Sequence, residues 1–278
     1  MTEPNAAAAA PSATPAGALT RLFREAGRPL LMPYAVGGFP DRAGCLEILR
    51  AYLRGGADLI EIGIPFSDPL ADGPVIQGAS VTALRNGIRP AGVLELAALA
   101  AAEGARVVLL SYLNTILAFG PERFFARCSE CGVLGVVVPD VPVEEAGGLQ
   151  ATARERGVDV ILLAAPTSTD ARLERIAQAA SGFIYCVSST GVTGARATLR
   201  SDLPDFVARL RRYTDLPLAV GFGVSNAEQA DRVAGYADGV IIGSALVDIV
   251  ARSERLDDAL AEIGRVLYQL RRTPSFSK

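Results

Sequence analysis

Eight short, uninterrupted apolar runs recur along the chain and constrain its fold more than any other feature. Such runs, unlike alternating ones, are typical of strands buried on both faces of a parallel sheet covered by helices. The runs occupy 29–36, 57–63, 105–112, 132–140, 157–165, 182–188, 216–223 and 237–245. Segments with apolar residues at helical spacing lie between them, at 41–54, 91–103, 121–131, 143–156, 170–180, 203–213 and 226–234.

This alternation predicts an α/β protein, a closed (β/α)8 TIM barrel, with one expanded loop between the second and third runs. The alternative is an open, doubly wound sheet, but neither a GxGxxG nor a Walker A loop follows the first run. Half of the 278 residues are apolar, enough for a large core. Residues 1–18 are rich in Ala and Pro and predict a flexible extension, which leaves 19–278 as a single barrel domain.

The composition excludes several classes of function. The chain has no His, which removes Ser-His-Asp and Cys-His catalysis and His-ligated metals. Its net charge is −3 and no basic block is present, so we expect no nucleic-acid partner. There is no run of 18 apolar residues and no basic signal-peptide start, which predicts a soluble cytosolic protein without a membrane segment.

The cysteines offer little chemistry. Cys128 and Cys131 have a CxxC spacing, but the chain has neither a second such pair nor a His to complete a zinc site. The spacing fits one face of a helix that ends at Gly132. We therefore interpret them as reduced structural thiols and predict no metal site.

Two carboxylates are candidates for acid–base chemistry. Glu61 lies within the second apolar run, where burial of an unpaired carboxylate would raise its pKa. The alternatives are that Glu61 pairs with a buried cation or lies at a frayed strand end. Asp72 follows in a Pro- and Gly-rich loop that can fold back over the barrel towards Glu61. Taken alone, Asp68 and Asp72 are ordinary turn residues.

Glycines follow the last three apolar runs and predict an anion site. Gly194, Gly223 and Gly243 let backbone N–H groups approach a phosphate, and a short helix starting near Ser244 would add its N-terminus. Tyr185, and Tyr112 with Asn114, lie near the same rim and are equally compatible with core packing. Asp140, at the end of the fourth run, is interpreted as a structural residue.

Six segments resemble the tryptophan synthase alpha subunit family. The longest is IEIGIPFSDPLADGPVIQGAS (60–80), and the resemblance spans about residues 19–270 in order. The others are MPYAVGGFPD (32–41), VVPDVPVEE (137–145), GFIYCVSSTGVTGAR (182–196), GFGVS (221–225) and GVIIGSALV (239–247).

The resemblance implies a lyase of tryptophan biosynthesis that cleaves indole-3-glycerol phosphate to indole and glyceraldehyde 3-phosphate. It implies no cofactor in this chain, and a beta-subunit partner, in an α2β2 complex, that carries pyridoxal phosphate. Matched by position, the catalytic residues are Glu61, Asp72 and Tyr185, and Asp68 faces the partner. The implied substrate-binding residues are Tyr34, Tyr112, Phe222, Thr193, Gly194, Gly223, Gly243 and Ser244.

Three other functions remain open at this stage. A free-standing lyase that releases indole would use the same residues. Another phosphate-handling barrel enzyme would need a Lys or another dedicated base, and no Lys ends a predicted strand. A non-catalytic activator of a beta subunit has no need of Glu61, Asp72 and Tyr185 together.

Overall fold

A computed structural model describes residues 17–187, 201–221, 223–224 and 226–277. Within them, eight parallel strands close into a barrel in chain order, with β8 paired to β1. The strands are β1 (Leu30–Val36), β2 (Ile60–Gly63), β3 (Val107–Leu110), β4 (Val133–Val137), β5 (Asp159–Ala164), β6 (Ile184–Val187), β7 (Leu218–Gly221) and β8 (Gly239–Ile242). The helices are α1 (Ala18–Ala26), α2 (Arg42–Arg54), α3 (Pro74–Arg85), α4 (Pro90–Ala102), α5 (Leu113–Phe119), α6 (Pro121–Glu130), α7 (Ala146–Arg154), α8 (Asp170–Ala179), α9 (Leu203–Arg211), α10 (Ala227–Ala234), α11 (Ser244–Arg252) and α12 (Leu256–Arg271).

The closed barrel confirms the predicted fold. Each strand lies inside one of the eight apolar runs, and each predicted helical segment coincides with a helix to within a few residues at either end. The strands are shorter than the runs because the following elements begin early. The third run, for example, extends to Tyr112, which already caps α5.

The long interval between β2 and β3 holds α4, which the sequence predicted as the segment 91–103, and the predicted expanded loop also contains a helix that was not predicted, α3. This helix begins at Pro74, a residue suited to the first helical turn, and buries Ile76, Ala79 and Ala83 at helical spacing. Helices α1, α5 and α12 were not predicted either. Helix α11 does begin at Ser244, as expected.

The strand residues form a nearly continuous apolar core, which draws attention to the polar exceptions. In the part of the chain that the structure describes, the buried polar or charged residues are Glu61, Asp72, Ser80 and Ser111. Glu61 lies in β2, and Asp72 lies in the loop between β2 and α3. The two buried carboxyl groups therefore approach the end of the barrel at which the strands terminate, where such folds carry their chemistry.

Cys128 and Cys131 are buried at the C-terminal end of α6 and are not disulfide-bonded, as expected of structural thiols. Burial raises the pKa of the Cys128 thiol well above its ordinary value, so it remains protonated. No group of three potential metal-ligating side chains occurs among the described residues. None of the described helices is both long and apolar enough to cross a membrane.

Candidate active site

A cavity opens at the carboxyl ends of the strands. Two carboxyl groups and two phenols face its interior, and a glycine-rich helix start forms one side. Its lining residues are Tyr34, Glu61, Asp72, Ile76, Leu110, Tyr185, Gly223, Ile241, Gly243 and Ser244. The cavity thus brings together residues from both candidate clusters of the sequence analysis.

Glu61 projects into this cavity from the middle of β2. It pairs in register with Tyr34 of β1, and only 1% of its surface is exposed. Its Oε1 atom is buried without a hydrogen-bond partner among the described residues. Burial, reinforced by the negative charge of Asp72, raises the pKa of Glu61 to about 8. A carboxyl group in this state is protonated near neutral pH and can both donate and recover a proton.

Asp72 is held in place by its own backbone. Its N–H donates to the carbonyl of Pro69 at 3.0 Å, and its carbonyl accepts from Nε2 of Gln77 at 2.9 Å. Burial raises the pKa of its carboxyl group to about 6, although a hydrogen bond from Tyr112 acts in the opposite direction. Asp72 is therefore largely ionised near neutral pH while Glu61 is largely protonated, so the two carboxyl groups can take different roles.

Tyr34 and Tyr185 reach into the cavity over glycines of the neighbouring strands. A Cβ atom at Gly63 would overlap the hydroxyl of Tyr34, and one at Gly221 would overlap that of Tyr185. Burial, together with the charges of Glu61 and Asp72, raises the pKa of both phenols well above the usual value. Both hydroxyls therefore remain proton donors next to the carboxyl groups, and the two strand glycines provide the space they occupy.

The opposite side of the cavity is the start of α11. Gly243 precedes the helix and its carbonyl accepts from Leu246 and Val247. Gly243 and Ser244 both line the cavity, so the start of α11, with its unpaired first N–H groups, borders it. Gly223 has a φ of 85°, a conformation that favours glycine. This wall can bind an anion with backbone donors and the positive end of a helix dipole.

Several predicted residues fall elsewhere. Thr193, Gly194 and Phe222 lie outside the described residues. Asp68 is exposed in the same loop that buries Asp72. Tyr112 is buried but is not part of the cavity lining.

Tyr112 lies behind Asp72. Its ring stacks on Phe66 with centroids 5.1 Å apart, and its hydroxyl accepts from the N–H of Ala71 at 3.0 Å. Asp140 accepts from the N–H of Leu113 at 2.9 Å, which supports the structural role expected of it. The contacts of Tyr112 are thus with the loop that carries Asp72.

The sequence reasoning missed three apolar residues of the lining. Leu110 and Ile241 are strand residues, and alternation from Tyr112 and Gly243 would have placed them on the inner face. Ile76 belongs to α3, one of the helices that were not predicted. These side chains give the cavity the apolar surface that a flat aromatic ligand requires.

Comparisons with known proteins agree on one family. Residues 21–272 match the family model described as tryptophan synthase alpha chain. The tryptophan synthase alpha chain of Roseiflexus sp. strain RS-1 is 48% identical over 233 residues, which cover 83% of this chain and 89% of that protein. The corresponding protein of Carboxydothermus hydrogenoformans is 47% identical over 228 residues, covering 82% of this chain and 85% of that protein.

Solved structures give the same result. A chain of Mycobacterium tuberculosis tryptophan synthase superposes with a TM-score of 0.84 at 37% identity, covering 92% of this chain and 99% of that chain. A chain of the tryptophan synthase α2β2 complex of Pyrococcus furiosus superposes with a TM-score of 0.81 at 36% identity, covering 87% of this chain and 98% of that chain.

Proposed function

This chain belongs to the tryptophan synthase alpha chain family, a family of lyases that cleave indole-3-glycerol phosphate, and we propose that it does so with Glu61, Asp72 and Tyr185. One observation carries the assignment. The two buried carboxyl groups of the described chain line one cavity with Ser244 at the start of α11. That arrangement suits a substrate with an aromatic ring at one end and a phosphate at the other.

Glu61 would act first as an acid and then as a base. Its raised pKa of about 8 keeps it protonated, ready to protonate C3 of the indole ring. The resulting carboxylate then takes the proton from the glycerol hydroxyl beside the C3–glycerol bond. As the C=O bond of glyceraldehyde 3-phosphate forms, the electrons of the breaking C–C bond return to the ring and release indole. Glu61 ends the cycle protonated again.

Asp72 would stabilise the charge that this protonation creates. Once C3 carries the extra proton, positive charge spreads to the indole nitrogen, and an ionised carboxylate that accepts the indole N–H offsets it. Its pKa of about 6 leaves Asp72 ionised near neutral pH. The negative charge also raises the pKa of Glu61 and so favours the protonated acid that the first step needs.

The remaining contacts would bind the substrate. We assign the phosphate to Gly223, Gly243 and Ser244, completed by Gly194 of the loop after β6. The hydroxyl of Tyr185 faces the reacting carbons, and Tyr34 forms part of the wall for the indole ring. Phe222 would complete that wall, and Thr193 would tie the loop after β6 to the loop that carries Asp72.

The same family relationship leads us to propose a partner. The relative from Pyrococcus furiosus is part of an α2β2 complex, and we propose that this chain likewise pairs with a tryptophan synthase beta subunit. Pyridoxal phosphate would then belong to the beta subunit, with no cofactor in this chain. Asp68 and Leu70, which is 90% exposed, would face the partner from the tip of the loop that carries Asp72.

Two further proposals concern location and domain organisation. We place the protein in the cytoplasm, because a phosphorylated substrate does not cross membranes and the buried free cysteines suit a reducing compartment. We assign residues 19–278 to one catalytic barrel domain, preceded by an extension at 1–18.

The test is indole release from indole-3-glycerol phosphate by the purified protein, with and without a cognate beta subunit. Slow release that rises at least about tenfold with the partner is expected, since an α–β coupling of 1–3 kcal/mol corresponds to that range. Equal, fast release in both assays would identify a free-standing lyase instead. Absence of release in both would overturn the assignment of the carboxyl groups.

A further inference from the structure

Tyr112 is a buried tyrosine that the proposed reaction does not use directly. It is 2% exposed, yet its ring is not part of the cavity lining. Its contacts are with the loop between β2 and α3: the stack on Phe66 and the hydrogen bond from Ala71, one residue before Asp72. Both contacts are with the segment that carries Asp72, the proposed charge-stabilising carboxylate.

Tyr112 is anchored to regular secondary structure, unlike the loop that it contacts. Tyr112 directly precedes α5, whose first N–H, that of Leu113, is bonded to Asp140 at 2.9 Å. The residue before it, Ser111, donates its N–H to Val137 of β4 at 2.9 Å. Tyr112 is therefore fixed by the barrel and by a capped helix, whereas residues 64–73 contain no helix or strand.

We propose that Tyr112 is a positioning residue that holds the loop after β2 and orients the Asp72 carboxylate for the indole N–H. The inference rests on the proposed function, because it assigns Tyr112 a role through Asp72. The hydroxyl accepts one hydrogen bond, from Ala71, and its own proton is then available to one oxygen of Asp72.

Electrostatics agree with this geometry. The hydrogen bond from Tyr112 lowers the pKa of Asp72 and so favours the ionised form against burial. The other titratable groups that face Asp72 from the described elements are Glu61 of β2, Tyr34 of β1 and Tyr185 of β6, none of them cationic. Burial and the charges of Asp72 and Asp140 raise the pKa of Tyr112, which keeps its hydroxyl a donor throughout the working range.

The decisive variant is Tyr112→Phe, which keeps the ring and its stack on Phe66 but removes the hydroxyl. We expect kcat to fall about tenfold with KM changed less than about twofold, since a misplaced catalytic group costs turnover more than binding. We also expect the acidic limb of the pH profile of kcat/KM to shift to higher pH by about one unit, because the Asp72 carboxylate loses one hydrogen bond and its pKa rises. A carbon-13 titration of Asp72 in the free protein should move in the same direction.

Two control variants separate the hydroxyl from general packing. Phe66→Leu weakens the stack but leaves the hydroxyl, and should lower kcat without moving the acidic limb. Tyr236→Phe removes a half-buried phenol close to Asp238, just before β8, and should leave kcat and the pH profile unchanged. An acidic limb that moves in Phe66→Leu as far as in Tyr112→Phe would overturn the proposal.

The Asp72→Asn background distinguishes failure of this inference from failure of the proposed function. If Tyr112 acts through Asp72, Tyr112→Phe should add less than about twofold to the loss in Asp72→Asn, since residues that act as one unit are not additive. A full additional tenfold loss would overturn the positioning role alone, as would an unshifted profile in the single variant. Full turnover by Asp72→Asn would overturn the proposed role of Asp72 and this inference with it.

Discussion

Two carboxyl groups three residues apart, Asp58 and Glu61, have opposite environments at the two ends of the barrel. Asp58 precedes β2 and binds Arg28 at 2.9 Å, Arg271 at 2.7 Å and the N–H of Leu31 at 2.8 Å. Glu61 lies within β2, and its buried Oε1 has no hydrogen-bond partner among the described residues. The Asp58 carboxylate thus has several hydrogen-bond donors, whereas Oε1 of Glu61 has none among the described residues.

The difference recurs around the barrel. At the amino end of β8, Asp238 binds Arg211 at 2.5 Å and the N–H of Leu218 at 2.7 Å. At the carboxyl ends, no cationic side chain of the described residues lowers the pKa of Asp72. Salt bridges at the amino ends of the strands join elements that are distant in sequence. At the carboxyl ends, the carboxyl groups are buried without a cationic partner among the described residues, which raises their pKa values into the range useful for acid–base chemistry. This matches the division between a stability face and a catalytic face in barrels of this type.

The two ends should respond to pH with opposite signs. Burial alone would raise the pKa of Asp58, but Arg28, Leu31 and Arg271 outweigh it, and the pKa falls below its ordinary value. That pairing stabilises the fold above the unfolded pKa and is lost as pH falls through the folded one. The pKa of Glu61 is raised to about 8, so unfolding becomes easier as pH rises from about 4.5 to 8. At neutral pH, the ionised Asp58 therefore contributes to the free energy of unfolding, whereas Glu61 lowers it.

The largest expected effect is that of Glu61→Gln. Removal of the acid–base group should lower indole release by about a thousandfold. The same change should raise the free energy of unfolding at pH 7.5 by about 1–3 kcal/mol, and by almost nothing at pH 4, because the amide does not ionise. Denaturant titration at the two pH values checks this. Equal stability of variant and parent at pH 7.5 would contradict the view that Glu61 is held at a cost in stability.

Asp72→Asn should have the next largest effect, a fall in kcat of about a hundredfold, because the amide keeps the shape but loses the stabilising charge. For the parent enzyme, kcat/KM should fall below about pH 6 and above about pH 8, following Asp72 and Glu61. In the variant the lower limb should disappear. The upper limb should move to lower pH, since the Asp72 charge contributes to the raised pKa of Glu61. An upper limb that stays in place would show that the two groups are not coupled.

Asp58→Asn tests the amino end and serves as the counterpart of Glu61→Gln. Loss of this charge leaves Arg28 and Arg271 without their carboxylate partner. The free energy of unfolding should fall by about 2 kcal/mol, less than for a fully buried ion pair because the Asp58 side chain is partly exposed. The kcat of the folded variant should remain within about twofold of the parent, because the catalytic end is untouched. A large loss of kcat without loss of stability would show that the two ends are not separate.

The same contrast explains which features were predictable from the sequence. Strand positions follow from apolar runs, since burial on both faces requires them, and a charge inside such a run identified Glu61. Nothing local separates Asp72 from Asp68, because both lie in one turn-rich loop. The position of the loop made Asp72 a candidate and the family signature distinguished it from Asp68, but its burial at 5% exposure accompanies contacts of the loop with Tyr112 that the sequence does not specify.

The unpredicted features depend on the third dimension. The resemblance implied that Tyr112 binds substrate, whereas its hydrogen bond from the N–H of Ala71, in the loop that carries Asp72, is a contact that no local pattern indicates. The fit of the Tyr34 hydroxyl over Gly63 depends on the register between β1 and β2, which the apolar pattern does not specify. Helix α3 carried the usual signals, yet a glycine in its middle, Gly78, weakened them.

The smallest expected effect compares the two ends of a single helix. Ser244 begins α11 at the catalytic end, and Ser253 follows its last residue at the opposite end, where its hydroxyl donates to Ile249 at 2.7 Å. Ser244→Ala should raise KM about fivefold with little change in kcat, the effect of losing one hydrogen bond to a phosphate. Ser253→Ala should leave KM unchanged and lower the free energy of unfolding by about 0.5–1 kcal/mol. Steady-state kinetics and denaturant titration on both variants suffice, and equal KM values for the two would place the phosphate away from α11.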